Sequence, residues 1–162
     1  MAYAHYFRAL LDVCEDIATD LPPNCSVEQL QSAVDTRVVA AAVESAEPCR
    51  QILAEFQKKT SLPTEHYGLL KMQELARIAA GTGLGKLTPT THLTTLAYKT
   101  LLDQNVISKD EFLAWIKATT DEAEHRAETL SRVIPIAKKL TQQSDGSEAE
   151  PSDEEDDSDD ED

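Results

Sequence analysis

The chain is poor in aromatic residues and contains no long apolar run. Phe, Tyr and Trp together make up 5 % of its 162 residues, whereas Ala, Leu, Val and Thr are abundant. This composition is more typical of packed helices than of a β-sandwich. No stretch approaches the roughly eighteen apolar residues that a membrane-spanning helix needs, and we therefore expect a soluble protein.

Cysteine is also scarce, and the N-terminus has no features of a secretory signal. The three cysteines, Cys14, Cys25 and Cys49, are odd in number and include no close pair. This pattern argues against a disulfide framework and indicates a reducing compartment. The N-terminal stretch has no basic segment followed by an uninterrupted apolar one. We expect a cytoplasmic protein (in the host cytoplasm if it is viral), with the nucleus as the alternative.

Basic residues are absent from the last nineteen positions, residues 144–162. Twelve of the thirty acidic residues lie there, and the first 143 residues carry eighteen acidic against fifteen basic residues. The tail therefore supplies most of the formal net charge of −15. A segment with so much like charge and so little apolar surface repels itself and has nothing to bury. We expect a single helical domain at residues 1–143 and a disordered acidic tail at residues 144–162.

Hydrophobic periodicity predicts helices throughout the first 143 residues. Apolar residues recur at three- and four-residue spacing, and no convincing alternation of period two occurs. Six to seven helices of about 12–20 residues, joined by short loops, account for the pattern. The predicted fold class is therefore all-α, an orthogonal or solenoid-like bundle of antiparallel helices.

Polar residues at fixed spacing predict where some of these helices begin and end. Ser26 with Gln29, and Ser108 with Glu111, have the spacing of capping boxes, in which each side chain bonds the backbone N–H of the other residue. Asn105 is suited to the position where the helix before it ends.

Prolines and one cysteine give further local predictions. Pro48 is suited to the first turn of a third helix, and Thr88 followed by Pro89 is suited to the start of another. Pro135 is expected to kink the last helix without ending it. Cys14 lies on the apolar stripe of the first helix and is expected to be a small core residue.

No motif points to catalysis or to a bound cofactor. Residues 81–88, Gly-Thr-Gly-Leu-Gly-Lys-Leu-Thr, follow a predicted helix and lack the Ser or Thr directly after the lysine that a phosphate-binding loop requires. Glu122 and His125 have the spacing of half a di-iron site, but the chain has no second Glu-x-x-His. No Cys or His pair has the close spacing of zinc ligands. We therefore expect a protein that is not an enzyme and has no cofactor.

One stretch near the C-terminal end of the body is more distinctive. A predicted helix, a tight turn, a capping box and a helix with Phe112, Leu113 and Trp115 occur together, and an acidic tail follows one further helix. Over about residues 93–162, this order resembles the C-terminal W2-type helical-repeat domain of translation initiation factors. The last helix is aliphatic where that family has a second aromatic box. The resemblance implies a helical module that interacts with other proteins.

These features predict a protein-binding adaptor or regulator. We expect the helical body to give specificity and the tail to steer the protein toward a partner with a basic surface. In one version of this prediction, that partner is itself a nucleic-acid-binding protein. Direct binding to nucleic acid or to a membrane is not expected, because phosphate groups require clustered basic residues. Phe112 and Trp115 are the predicted contacts of the body if they are partly exposed, since aromatic residues dominate binding hot spots. The predicted contacts of the tail are Asp153, Glu154, Glu155, Asp156, Asp157, Asp159, Asp160, Glu161 and Asp162.

Three alternatives remain open from the sequence. The first is a viral or phage accessory protein whose tail mimics nucleic acid and inhibits a host nucleic-acid-binding protein. The second is an assembly or scaffolding factor in which the tail keeps a self-associating body in solution. The third is an interaction module like the W2 domain.

Overall fold

The protein is built from α-helices, and no strand occurs at residues 2–61, 64–81, 87–118 and 126–145, which are the residues that this computed structural model describes. The prediction of an all-α fold is confirmed. The helices in chain order are α1 (Ala2–Asp20), α2 (Val27–Ala33), α3 (Val39–Lys59), α4 (Thr64–Gly81), α5 (Leu93–Asp103), α6 (Lys109–Lys117) and α7 (Arg126–Asp145).

Helices α2 and α3 are parts of one continuous rod. They are joined without a break by a π-helical segment, Val34–Val38. Pro48 lies inside α3, so the prediction that a separate third helix begins near Pro48 is wrong. A proline inside a helix removes one backbone hydrogen bond and crowds the preceding turn. Burial of Ala42, Ala46 and Cys49 on the same helix offsets this cost, because the rod packs along α1.

The two predicted capping boxes are confirmed. At the start of α2, the Gln29 backbone N–H donates to Ser26 Oγ at 3.2 Å, and the Ser26 N–H donates to Gln29 Oε1 at 2.9 Å. At the start of α6, the Glu111 N–H donates to Ser108 Oγ at 3.1 Å, and the Ser108 N–H donates to Glu111 Oε2 at 3.0 Å. Each pair satisfies backbone donors that have no partner within the helix.

Asn105 ends the α5 region as predicted. Its φ of 53° is left-handed, and it is the one non-glycine residue with positive φ in the described part of the chain. The Val106 N–H donates to the Leu101 carbonyl at 2.8 Å, and the Asn105 N–H donates to the Leu102 carbonyl at 3.0 Å. These two bonds form a Schellman motif, which satisfies the last carbonyls of the helix and turns the chain toward α6.

Two helix predictions near proline have different outcomes. Helix α5 begins at Leu93, so the prediction of a helix start at Thr88 is wrong. Thr88 Oγ1 instead accepts the Thr90 and Thr91 N–H groups at 3.3 and 3.0 Å, which closes a tight turn before the helix. Pro135 lies within α7 and does not end it, as predicted.

The core lies where α1 packs against α3 and α4, and it continues through contacts of α3 with α5, of α4 with α6 and of α5 with α7. Cys14 is buried in it, as predicted. The Tyr6 hydroxyl donates to the Ala97 carbonyl at 3.3 Å, and the Tyr98 hydroxyl donates to the Met72 carbonyl at 3.1 Å. These two bonds satisfy buried polar groups and tie α1 and α4 to α5.

Several predictions fall on residues outside the described ranges. They concern most of the glycine-rich segment (82–86), Glu122 with His125, and the acidic tail from residue 146 onward. Helix α7 ends at Asp145 and so includes Ser144 and Asp145. None of the helices in the described ranges is both long enough and apolar enough to cross a membrane.

Candidate functional site

The two aromatic residues predicted to contact a partner are buried. Phe112 and Trp115 are 0 % and 1 % exposed. They are three residues apart on α6 and therefore share one face, which points into the core. Trp115 stacks on Tyr98 with ring centroids 5.9 Å apart and an interplanar angle of 24°. Phe112 and Trp115 were predicted to contact a partner only if they are partly exposed. That condition is not met, and both side chains pack in the core.

Arg126, at the start of α7, closes this aromatic cluster. Its guanidinium carbon lies 5.2 Å from the centroid of the Trp115 ring. Its Nη2 donates to the Trp115 and Ala118 carbonyls, each at 2.7 Å. These carbonyls lie at the C-terminal end of α6, where the last carbonyls of a helix lack their regular partners, and the Trp115 carbonyl also accepts the Ala118 N–H at 3.2 Å. Arg126 therefore caps α6 and fixes α7 against it.

A groove between α3 and α4 carries exposed apolar side chains. Ile52 and Phe56 on α3 are 42 % and 48 % exposed, and Leu70 on α4 is 49 % exposed. The groove has a volume of about 210 Å³, and Ala2 and Tyr3 at the start of α1 form its floor. It is lined by Ala2, Tyr3, Ile52, Leu53, Phe56, Leu70, Lys71 and Glu74.

The two walls of the groove have the same residue spacing. The α3 wall presents Ile52, Leu53 and Phe56, and the α4 wall presents Leu70, Lys71 and Glu74. Each set has the spacing i, i+1, i+4, which places its members on adjacent rows of one helical face. Each wall is therefore about one helical turn long.

The charged groups of the lining have ion-pair partners within the body. Lys71 Nζ lies 3.5 Å from Glu111 Oε1 on α6. Glu74 accepts two hydrogen bonds from Arg77, 3.1 Å from Nε and 2.7 Å from Nη2. These hydrogen bonds lower the pKa of Glu74, which stays ionised near neutral pH. The lining therefore offers an occupant mainly apolar contact.

A second cavity, of about 220 Å³, lies where the C-terminal end of α1 meets the loop before α2. Cys14 and Cys25 both line it, together with apolar residues. Cys14 is buried and Cys25 is half-buried. Among the described residues, no group of three or more His, Cys, Asp or Glu side chains is arranged to hold a metal ion.

The groove residues were not predicted as a site from the sequence. Periodicity assigns Ile52, Leu53 and Phe56 to the buried stripe of a helix, yet no helix in the described residues covers them fully. One signal was available: Leu70 lies off the apolar stripe of α4, which runs through Leu69, Met72, Leu75 and Ile78. An apolar residue on the polar side of an amphipathic helix is a sign of an exposed patch.

Comparisons with protein-family models, with curated proteins and with solved structures give no match to this chain. The resemblance to W2-type domains therefore stays a prediction.

Proposed function

We propose that the protein is a non-enzymatic adaptor or regulator that binds another protein at the α3–α4 groove. The observation that carries this proposal is the exposure of Ile52, Phe56 and Leu70 around one concave surface. A grouped set of exposed large apolar side chains is costly in water and typically marks an interaction site. In this proposal the groove supplies the specificity that the sequence analysis assigned to Phe112 and Trp115.

The acidic tail has a different role in the proposal. Nine acidic residues lie in the last ten positions, and the chain as a whole carries a formal charge of −15. Such a charge raises the association rate with a basic surface and makes that rate sensitive to salt. Apolar contacts in the groove are much less sensitive to salt. The tail is thus proposed to set how fast the partner arrives, and the groove how long it stays.

The test compares full-length variants in affinity capture, followed by kinetics with the captured protein after its purification. One variant replaces Leu70 with Asp in the groove. A second replaces the acidic residues of positions 153–162 with Asn and Gln. A third, Val43→Asp, is the control, because Val43 lies on α3 outside the groove and is 43 % exposed, close to the 42 % of Ile52.

We expect Leu70→Asp to raise the dissociation rate about tenfold, while the tail variant lowers the association rate and its dependence on salt. Val43→Asp should bind as the unaltered protein does. Equal binding by Leu70→Asp and Val43→Asp would show that the groove is not the binding site. Competition by nucleic acid together with complete loss of binding in the tail variant would instead favour acidic mimicry.

A further inference from the structure

We propose that the groove receives an amphipathic α-helix of the partner, with basic residues flanking the apolar face of that helix. This inference rests on the proposed function, since it names the occupant of the same groove.

The shape of the groove indicates a helical occupant. Both walls and the floor belong to helices: α3 and α4 stand on either side, and the first turn of α1 lies beneath. Side chains at i and i+4 on each wall form ridges that run obliquely along the helix. Such ridges interlock with the i, i+3 and i+4 side chains of another helix, and helix-in-groove recognition uses this geometry. A docked helix would therefore add one more member to the bundle.

The spacing of the walls also indicates the anchors of this helix. Ile52 and Phe56 are the exposed apolar residues of the α3 wall and are separated by one turn, and Leu70 is the exposed apolar residue of the α4 wall. A turn of helix rises about 5.4 Å, so the groove accommodates two apolar anchors that are themselves one turn apart. Anchors at positions i and i+4 of the partner helix meet this requirement.

The charge of the chain favours a basic helix over a second copy of the chain as the occupant. Inside the groove, Lys71 and Glu74 each have an ion-pair partner in the body, Glu111 and Arg77 respectively. The lining therefore adds little preference for either sign of charge. The whole chain carries −15, so a second copy is repelled whereas a helix flanked by Lys and Arg is attracted.

The experiment uses three synthetic peptides of about sixteen residues and the full-length protein. The first peptide has leucine at i and i+4 on one face and lysine or arginine beside it. The second has the same composition in a scrambled order that destroys the apolar face. The third keeps the apolar face but has glutamate in place of each basic residue. Fluorescence anisotropy gives Kd at low salt and at about 0.5 M salt, where charges are screened beyond about 4 Å.

We expect the first peptide to bind at least tenfold more tightly than the scrambled one, and to retain this preference at high salt. Ile52→Asp and Leu70→Asp should each weaken its binding about tenfold, whereas Val43→Asp should change Kd less than twofold. The acidic peptide should bind more weakly than the first at low salt. Circular dichroism should show that the first peptide gains helix on binding.

Three outcomes would overturn the inference. They are equal binding of the first and scrambled peptides at high salt, equal or tighter binding of the acidic peptide at low salt, and dimerisation of the unliganded protein that Leu70→Asp abolishes. If these peptides do not bind but binding of a captured partner still depends on Leu70, the inference is wrong and the proposed function stands. If Leu70→Asp leaves binding of the captured partner unchanged, the proposed function is wrong as well.

Discussion

Lys71 of α4 and Glu111 of α6 form an ion pair that links the wall of the groove to the core, with Lys71 Nζ 3.5 Å from Glu111 Oε1. Glu111 uses its other carboxylate oxygen, Oε2, to accept the Ser108 N–H at the start of α6. One carboxylate thus caps α6 and neutralises a buried lysine on α4. Changes at Glu111 are therefore expected to affect two helices at once.

Replacing Glu111 with Gln should destabilise the protein by about 2–4 kcal/mol. The substitution removes the charge that faces Lys71, and loss of one partner of a buried pair costs about 3–5 kcal/mol when burial is complete. Glu111 is only partly buried, which reduces that cost, and glutamine retains part of the capping box. Urea unfolding measures the free energy of unfolding.

Asp110→Asn is the control for Glu111→Gln, because Asp110 is exposed on the same turn. Adding Lys71→Met to Glu111→Gln should recover part of the loss, and a double-mutant cycle that shows no coupling between the two positions would refute the prediction.

Replacing Arg126 with Met should destabilise the protein by about 2–3 kcal/mol. Two charge-assisted hydrogen bonds to the Trp115 and Ala118 carbonyls are lost, together with the contact of the guanidinium with the Trp115 ring. Trp115 is the single tryptophan of the chain, so its fluorescence reports unfolding and the local change together. Lys138→Met, on the exposed side of α7, is the matched control and should change the unfolding free energy by less than about 0.5 kcal/mol. Similar unfolding curves for the two variants would contradict the capping role of Arg126.

Replacing Gly68 with Ala should stabilise the protein by about 0.5–1 kcal/mol. Gly68 lies inside α4, where alanine has a higher helix propensity and restricts the unfolded chain. An added Cβ would lie 3.4 Å from the Glu111 side chain, an ordinary van der Waals contact. Thermal unfolding should show a raised Tm. A lowered Tm would mean that the Glu111 side chain has no room to accommodate the methyl group.

Stability should fall as pH rises from about 9 toward 11 because of two buried thiols. Burial raises the pKa of Cys14 and of Cys49 to about 11, from an ordinary value of 9.0. In this pH range the unfolded chain loses thiol protons that the folded chain keeps, so deprotonation favours unfolding. The full effect is about 2–3 kcal/mol per thiol, and it is absent below about pH 8. Burial also raises the pKa of Tyr6, which adds to the loss above about pH 10.

The measurement for the thiols is urea unfolding at intervals between pH 7 and pH 11. The comparison protein carries Cys14→Ala and Cys49→Ala, and its stability should depend less steeply on pH between about 9 and 11. The slope is compared and not the stability itself, because each substitution also leaves a small cavity. Equal slopes for the two proteins would contradict the assignment.

Local chemistry made part of this fold predictable. The capping boxes at Ser26 and Ser108 and the left-handed Asn105 depend on residues within four or five positions, and the sequence displays them directly. The position of Pro48 depends instead on packing against α1, which local propensity does not contain. Thr88 has two local uses, as a helix cap or as the residue that closes a turn, and distant packing decides between them.

The candidate site was harder to predict than the fold. A helical stripe shows which residues avoid water, but it does not show whether another helix covers them. Ile52 and Trp115 both lie on apolar stripes, yet the first is exposed and the second is enclosed by Tyr98 and Arg126. This difference arises from the arrangement of helices that are distant in sequence, and the periodicity of α3 or of α6 alone does not show it.

The π-helical segment sets the rotational phase between the two halves of the long rod. Val34, Val38, Ala42 and Ala46 are all buried at steps of four residues, although such a stripe drifts by about 40° per step around a regular α-helix. The wider π turn turns the backbone less per residue and so reverses part of that drift. A regular α-helix through the same residues would turn about one residue further and would rotate the α3 wall by about 100° relative to α2. Deleting one residue between Val34 and Val38 would instead restore a regular helix that keeps the wall close to its present direction. The direction in which Ile52 and Phe56 face is thus determined some four turns away, by the π turn that absorbs one additional residue.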